Sequence, residues 1–181
     1  MSVTLSRSAA GRYYASLAFE DGRPVPQAPR VLRAEDVNAG DLGVNTLLTL
    51  ASGTDVPNPR HERRHAKAIR TAHKDLSRKT KGSRNWEKAR VRLARAYEAQ
   101  ANAVADTAHK ISRRLVDENQ AFGFEDLSVS AMFRSGRGLA RSLSAAAFGK
   151  IVAFTAYKAA RSGRIVHKVD RFFPSTKTCR P

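Results

Sequence analysis

Apolar and polar residues alternate over positions 3–5 and again over 13–19, with Gly11 between the runs, so the pattern predicts an antiparallel hairpin. The next stretch, DGRPVPQAPR (21–30), carries three prolines and predicts an extended linker. A second rhythm fills 37–58: a short strand into Asp41, a turn at Gly43, a strand over 46–50, a turn at Ser52-Gly53 and a weak third strand. Three antiparallel strands fit that length. From Asn58-Pro59 to about Asn119 the period becomes helical, with a break at Gly82 and Ser83 as the next cap. Trp86, Leu93, Tyr97, Ala101, Val104, Ala108, Ile111 and Leu115 recur in steps that make one helical face, so Trp86 and Tyr97 are expected in the core. Two long helices joined by a glycine turn predict an antiparallel helical hairpin.

Beyond it, AFGFEDLSV (121–129) predicts a short buried strand ending in acids. MFRSGRGLARS is a basic, glycine-containing loop, whose Arg134 and Arg137 are either substrate contacts or parts of a plain surface loop. A helix follows over 139–160, with Leu143, Ala147, Ile151 and Phe154 on one side, then Gly163 and a last strand over 164–169. The expected layout is a β element and linker over 1–30, two parts of an α/β domain over 31–58 and 121–173, a helical hairpin over 59–120 between them, and a tail over 174–181. No internal repeat is visible.

Composition narrows the partners. The 181 residues are 41% apolar, enough for a core, and carry 33 Lys and Arg against 16 Asp and Glu, a net charge of +17. Such a surplus repels itself unless a polyanion neutralises it, so nucleic acid is the first expected partner and an anionic membrane surface the second. No apolar run approaches the roughly 20 residues that span a bilayer, and residues 1–10 lack a secretory apolar region. The single cysteine, Cys179, allows no internal disulfide. A cytoplasmic, nucleoid-associated protein is expected.

His61-Glu62-Arg63-Arg64-His65 fits the H-E-x-x-H pattern of zinc metalloproteases. Zinc would need a third ligand and a dry pocket. Here the string is flanked by Arg60, Arg63, Arg64, Lys67 and Arg70, whose charges oppose a divalent cation, and only Ala66, Ala68 and Ile69 could bury the helix. The expectation is two polar histidines on a basic helix.

That helix and its partner carry the stronger signal. Arg60, Arg63, Arg64, Lys67, Arg70, Lys74, Arg78, Lys79, Lys81, Arg84, Lys88, Arg90, Arg92 and Arg95 face only Glu62, Asp75 and Glu87, an excess of eleven positive charges. Solvated helical faces usually alternate signs; this one does not. Arginine predominates, which suits bidentate phosphate contacts. Phosphate-backbone binding is expected, through all of these but Arg90 and Arg95.

Two carboxylates stand at strand ends: Asp41 in GDLGVNTLLTL and Glu125 in FGFEDL. If those strands are neighbours, both emerge at one edge, as hard oxygen ligands for Mg²⁺ do in phosphodiester cleavage. Asp126 would point to the opposite face from Glu125. On the residues alone, a turn Asp and a strand-end Glu is the plainer reading.

GDLGVNTLLTLASG, the basic block RHERRHAKAIRTAHKDLSRKTKGSRNWEKARVRLARAYE, then HKISRRLVDENQAFGFEDLSVSAMFRS and KVDRFFPSTKTC, together and in this order, resemble the TnpB (OrfB) family of insertion-sequence proteins, relatives of the type V CRISPR effectors. The resemblance implies an RNase H-like (RuvC) mixed α/β sheet, with the basic hairpin inserted between its third and fourth strands. It implies an RNA-guided DNA endonuclease, with DNA and a guide RNA as partners. It assigns Asp41 and Glu125 as catalytic, Mg²⁺-binding acids, and sets the hairpin against the guide–target duplex. It makes Cys179 the start of a four-cysteine zinc finger.

The chain also departs from the family pattern. The third acid and the remaining cysteines have no counterpart, so the Zn site is expected to be absent, Mg²⁺ binding weak and cleavage impaired. Residues 1–20 resemble only the last strands of the family's wedge domain, so a central fragment is expected, incomplete at the C-terminus. Asn38, Ala39 and Gly40 stand where bulky apolar residues are expected. The alternative is a non-catalytic DNA- or RNA-binding protein that regulates transposition, with ribosomal-type RNA binding as a third possibility.

Overall fold

The computed structural model describes residues 1–125 and 139–169. Asp126, Arg134, Arg137, Cys179, the side chain of Leu143 and the tail over 174–181 lie outside the described residues. The chain divides into two compact units, Met1–Pro24 with Arg60–Asp106, and Val25–Pro59 with Thr107–Pro181.

The first unit opens with β1 (Ser2–Arg7) and β2 (Tyr13–Ala18), paired antiparallel from Ser2↔Ala18 to Arg7↔Tyr13. Gly11, at φ 80°, makes the turn. Next come α1 (His61–Ser77) and α2 (Arg84–Glu118). Gly82 turns the chain at φ 84°, and Ser83 Oγ accepts the Trp86 N–H at 3.1 Å, the expected cap. The helices run antiparallel, tied by Asp75–Arg92 at 3.0 Å and His73–Tyr97 at 2.8 Å. The β1–β2 hairpin is tied to α2 by Tyr14 Oη, which donates to Glu98 at 3.0 Å.

Two expectations fail here. The first helix starts at His61 rather than Asn58, because the Asn58 side chain donates to the Val44 carbonyl at 2.7 Å and does not cap. Arg60 takes the N-cap position instead, in the left-handed region at φ 49°, with no side-chain cap bond. On α2, Tyr97 is 46% exposed and Ala101 is exposed, whereas Ala89 and Gln100 are buried. Tyr97 leaves the expected stripe because its hydroxyl is taken by His73. Trp86 is only half-buried.

The second unit is a five-stranded mixed sheet in the order β5-β4-β3-β6-β7. Its strands are β3 (Val37–Asp41), β4 (Thr46–Leu50), β5 (Asp55–Pro57), β6 (Ala121–Glu125) and β7 (Ile165–Val169). The first three pair antiparallel, as the pattern predicts; β6 pairs parallel with both β3 and β7. Parallel neighbours need a long crossover, which the helices supply. Leu48, Leu50, Phe122 and Phe124 pack with Ala108, Ile111 and Leu115 of α2 and with Phe148 and Ile151 of α3 (Leu139–Arg161). The two helices are joined by Lys158 Nζ, which donates to the His109 carbonyl at 2.7 Å and to Ser112 Oγ at 2.8 Å.

The small residues of β3 do not weaken it. A Cβ on Gly40 would lie 2.6 Å from Leu48 Cδ1 and 3.0 Å from Phe122 Cζ, so the tips of its neighbours' side chains fill the space a larger residue would take. Gly163 is held more tightly: at φ 62°, its Cβ would lie 2.5 Å from the Pro26 carbonyl oxygen, which is backbone. Gly53 shares the positive φ, at 84°, but faces open space. Gly53→Ala should therefore cost only the left-handed strain of about 1–2 kcal/mol. Gly163→Ala should cost clearly more, read as the larger drop in urea midpoint by circular dichroism.

Candidate functional site

The β3–β6 register runs from Val37↔Ala121 to Gly40↔Phe124. Asp41 and Glu125 are the next residue on each strand, so they stand side by side at the ends of adjacent parallel strands. Alternation puts Gly40 and Phe124 on the helix-covered face, so the two carboxylates share the opposite face. Asp41 is exposed and Glu125 half-buried. A cleft of about 320 Å³ opens there, lined by both carboxylates and by Thr49, Ala39, Gly123 and Val169 among others.

The register completes the rung. Thr49 on β4 pairs with Asp41, and Val169 on β7 pairs with Glu125. Sequence reasoning missed Thr49, because the pairs Gly40↔Leu50 and Asp41↔Thr49 centre the hairpin on Asn45, two residues beyond the expected turn at Gly43. Beneath the rung lie Ala39 and Gly123, themselves paired. Their size keeps the cleft open below the acids.

Two carboxylates on rigid strands are hard oxygen donors of the kind Mg²⁺ takes. Among the described residues no third His, Cys, Asp or Glu completes a group of three with them. The donor chemistry fits a divalent cation.

The cationic residues gather in the first unit. Arg63, Arg64, Lys67, Arg70 and Lys74 lie on α1, Arg60 and Arg78 flank it, Lys79 and Lys81 stand in the turn, and Arg84, Lys88 and Arg92 lie on α2. All but Arg60 are exposed. Asp75 pairs with Lys79 at 3.3 Å as well as with Arg92. Among the described residues no helix is long and apolar enough to cross a membrane.

With this geometry in place, comparison with known proteins decides the family. Residues 23–136 match the OrfB_IS605 family model, described as "Probable transposase". The chain belongs to the OrfB_IS605 family. A "Putative RNA-guided DNA endonuclease" of Streptomyces pristinaespiralis is 41% identical over 177 residues, covering 98% of this chain and 42% of that protein. "Putative RNA-guided DNA endonuclease InsQ" of Escherichia coli K12 is 31% identical over 136 residues, 75% of this chain and 33% of that protein. A similarly described protein of Mycobacterium tuberculosis is 31% identical over 164 residues, 85% of this chain and 36% of that one. The chain thus spans less than half the length of these OrfB_IS605 relatives.

His61 and His65 sit in the first two turns of α1, and no third candidate ligand joins them among the described residues. Burial, then Arg64 and His65, lower the His61 pKa below the ordinary 6.5. Its proton is therefore held more weakly folded than unfolded. Stability should decline as pH falls from that ordinary value towards the folded one, because the unfolded chain takes up the proton first. An NMR titration should give His61 a midpoint below 6.5, and His65→Ala should move it back upward.

Proposed function

We propose that the sheet unit is the RNase H-like (RuvC) core of an RNA-guided DNA endonuclease, with Asp41 and Glu125 as its divalent-cation ligands and the helical hairpin as its nucleic-acid contact. The observation that carries this is the side-by-side emergence of Asp41 and Glu125 from adjacent parallel strands, brought together across eighty-four positions. Three antiparallel strands leading into two parallel ones, with acids at the central edge, is the arrangement such a core requires. The names of the relatives supply the reaction and the partners, DNA and a guide RNA.

Mg²⁺ bound there would polarise a phosphodiester and activate water. The chain's own residues do the rest. Asp41 and Glu125 hold negative charge at a fixed spacing on a rigid scaffold. Ala39 and Gly123 leave room for a sugar–phosphate backbone to approach. The cations of α1 and α2 bind phosphates without reading sequence. Two carboxylates on their own would hold the ion weakly, since each further anionic ligand compensates more of its charge.

Electron paramagnetic resonance should detect weak Mn²⁺ binding, and Asp41→Asn and Glu125→Gln should each abolish it. Binding unchanged in both variants would remove the metal site from this edge. In a Mg²⁺-dependent assay with guide RNA and target DNA, Asp41→Ala should abolish whatever cleavage the chain supports; cleavage unchanged in that variant would remove Asp41 from the site.

A further inference from the structure

Thr49 lies between Leu48 and Leu50, which are buried, and is itself exposed on the opposite face. Pairing on both edges of β4 sets its neighbours: Asp41 of β3 on one side and Asp55 of β5 on the other. The rung therefore reads Asp55, Thr49, Asp41, Glu125, Val169, one residue from each strand. The Ala51 N–H donates to the Ala39 carbonyl at 2.8 Å and the Gly43 N–H to the Leu47 carbonyl at 3.3 Å. Those bonds bracket Asp41 and Thr49, which by alternation form a hydrogen-bonded pair with Cα atoms about 5.5 Å apart. Directly opposite Cβ atoms stand about 4.5–5.5 Å apart on one face, so two short polar side chains can bond across the pair. Among the described residues that line the cleft, Thr49 is the one with a polar side chain besides the two acids. No hydrogen bond engages its hydroxyl among the described residues.

We infer that Thr49 is a positioning residue for Asp41: its hydroxyl donates to one Asp41 oxygen and leaves the other turned towards Glu125 for a divalent cation. The inference rests on the metal site proposed above and adds a residue to it. An ionised carboxylate is an acceptor only, so Glu125 cannot orient Asp41 by a hydrogen bond. The donor on that rung must come from the other neighbour, Thr49. Ordering a free carboxylate costs affinity, and a bond from a rigid strand removes part of that cost beforehand. Carboxylates that hold metals are themselves hydrogen-bonded in this way, and loss of such a partner costs about 10–100-fold in metal affinity. Asp55 is the rival for the hydroxyl. It belongs to the edge strand and does not line the cleft. It stands two strand spacings from Asp41, about 10 Å, where salt screens most of its pull on an ion.

A β-branched residue also suits a strand through its shape alone. Shape and hydroxyl order the substitutions oppositely. Thr49→Val keeps the branch and loses the donor; Thr49→Ser keeps the donor and loses the branch. The full chain and its variants are titrated with Mn²⁺ by electron paramagnetic resonance. Thr49→Val should weaken binding by about tenfold or more, and Thr49→Ser should stay within about threefold of wild type. Asp55→Asn should stay within about twofold. In urea the order should reverse, with the Thr49→Val midpoint at or above wild type and the Thr49→Ser midpoint below it.

Thr49→Val binding as tightly as wild type, while Asp41→Asn still abolishes binding, would overturn the inference and leave the metal site standing. Thr49→Ser binding as weakly as Thr49→Val would do the same, because the branch and not the hydroxyl would then be required. A loss in Asp55→Asn as large as in Thr49→Val would assign the hydroxyl to Asp55 and also overturn it. A wild-type chain that binds no Mn²⁺ would remove the metal site itself, and the role of Thr49 with it.

Discussion

The parallel pairing of β3 with β6 is the constraint from which the candidate site follows. Two strands separated by the whole helical hairpin in sequence are locked in register at four consecutive positions. Closing so long a loop costs entropy that grows only slowly with length, so the insertion is tolerable wherever the core holds the ends. The core does so with Phe122 and Phe124 from β6, Leu48 and Leu50 from β4, and the helices behind them. The Gln120 N–H donates to the Asp36 carbonyl at 2.9 Å, fixing where the parallel run begins. Once that start is set, Asp41 and Glu125 arrive together at the far end without any contact of their own. A slip of one residue would turn one carboxylate into the core face.

The hairpin unit obeys a different economy. Its helices share little apolar surface: no α1 residue is fully buried, and α2 buries only Ala89, Gln100 and Val104 in that unit. Cross-links of mixed character make up part of the difference, among them Asp75–Arg92, His73–Tyr97 and Tyr14–Glu98. Exposed ion pairs contribute about 0–1 kcal/mol each, which is small beside the mutual repulsion of so many cations. A polyanion would relieve that repulsion, so binding one would also stabilise this unit. The same charge that argues for a partner explains why the helices can remain lean.

Much of this was legible in the sequence because it depends on local chemistry. Turn glycines at 11, 53 and 82, the Ser83 cap, the alternating run at 13–19 and the strand segment at 46–50 act within a few residues, and the elements they predict are present. What was not legible depends on partners distant in the chain. Asn58 looks like a cap until Val44 claims its side chain. Tyr97 looks like core until His73 offers a hydrogen bond at the surface. The adjacency of Asp41 and Glu125 was a conditional statement about two strands, and periodicity could not satisfy the condition. The TnpB (OrfB) resemblance supplies it, and the register makes it geometric.

VNAGD, which reads poorly as a strand, shows why composition alone misleads there. Alternation gives the segment two jobs. Gly40 faces the core and must be small because Leu48, Leu50 and Phe122 occupy its side-chain volume. Ala39 faces the cleft beside Gly123, where a larger residue would fill the space under the carboxylates. The bulk that a buried strand normally carries is provided by its neighbours instead, and β3 is held by pairing on both edges rather than by side chains of its own. Low strand propensity between Val37 and Asp41 is thus what a central strand looks like when one face is packed from outside and the other must stay open. The residues that argued most strongly against a strand are those that let this one carry an acid at its tip.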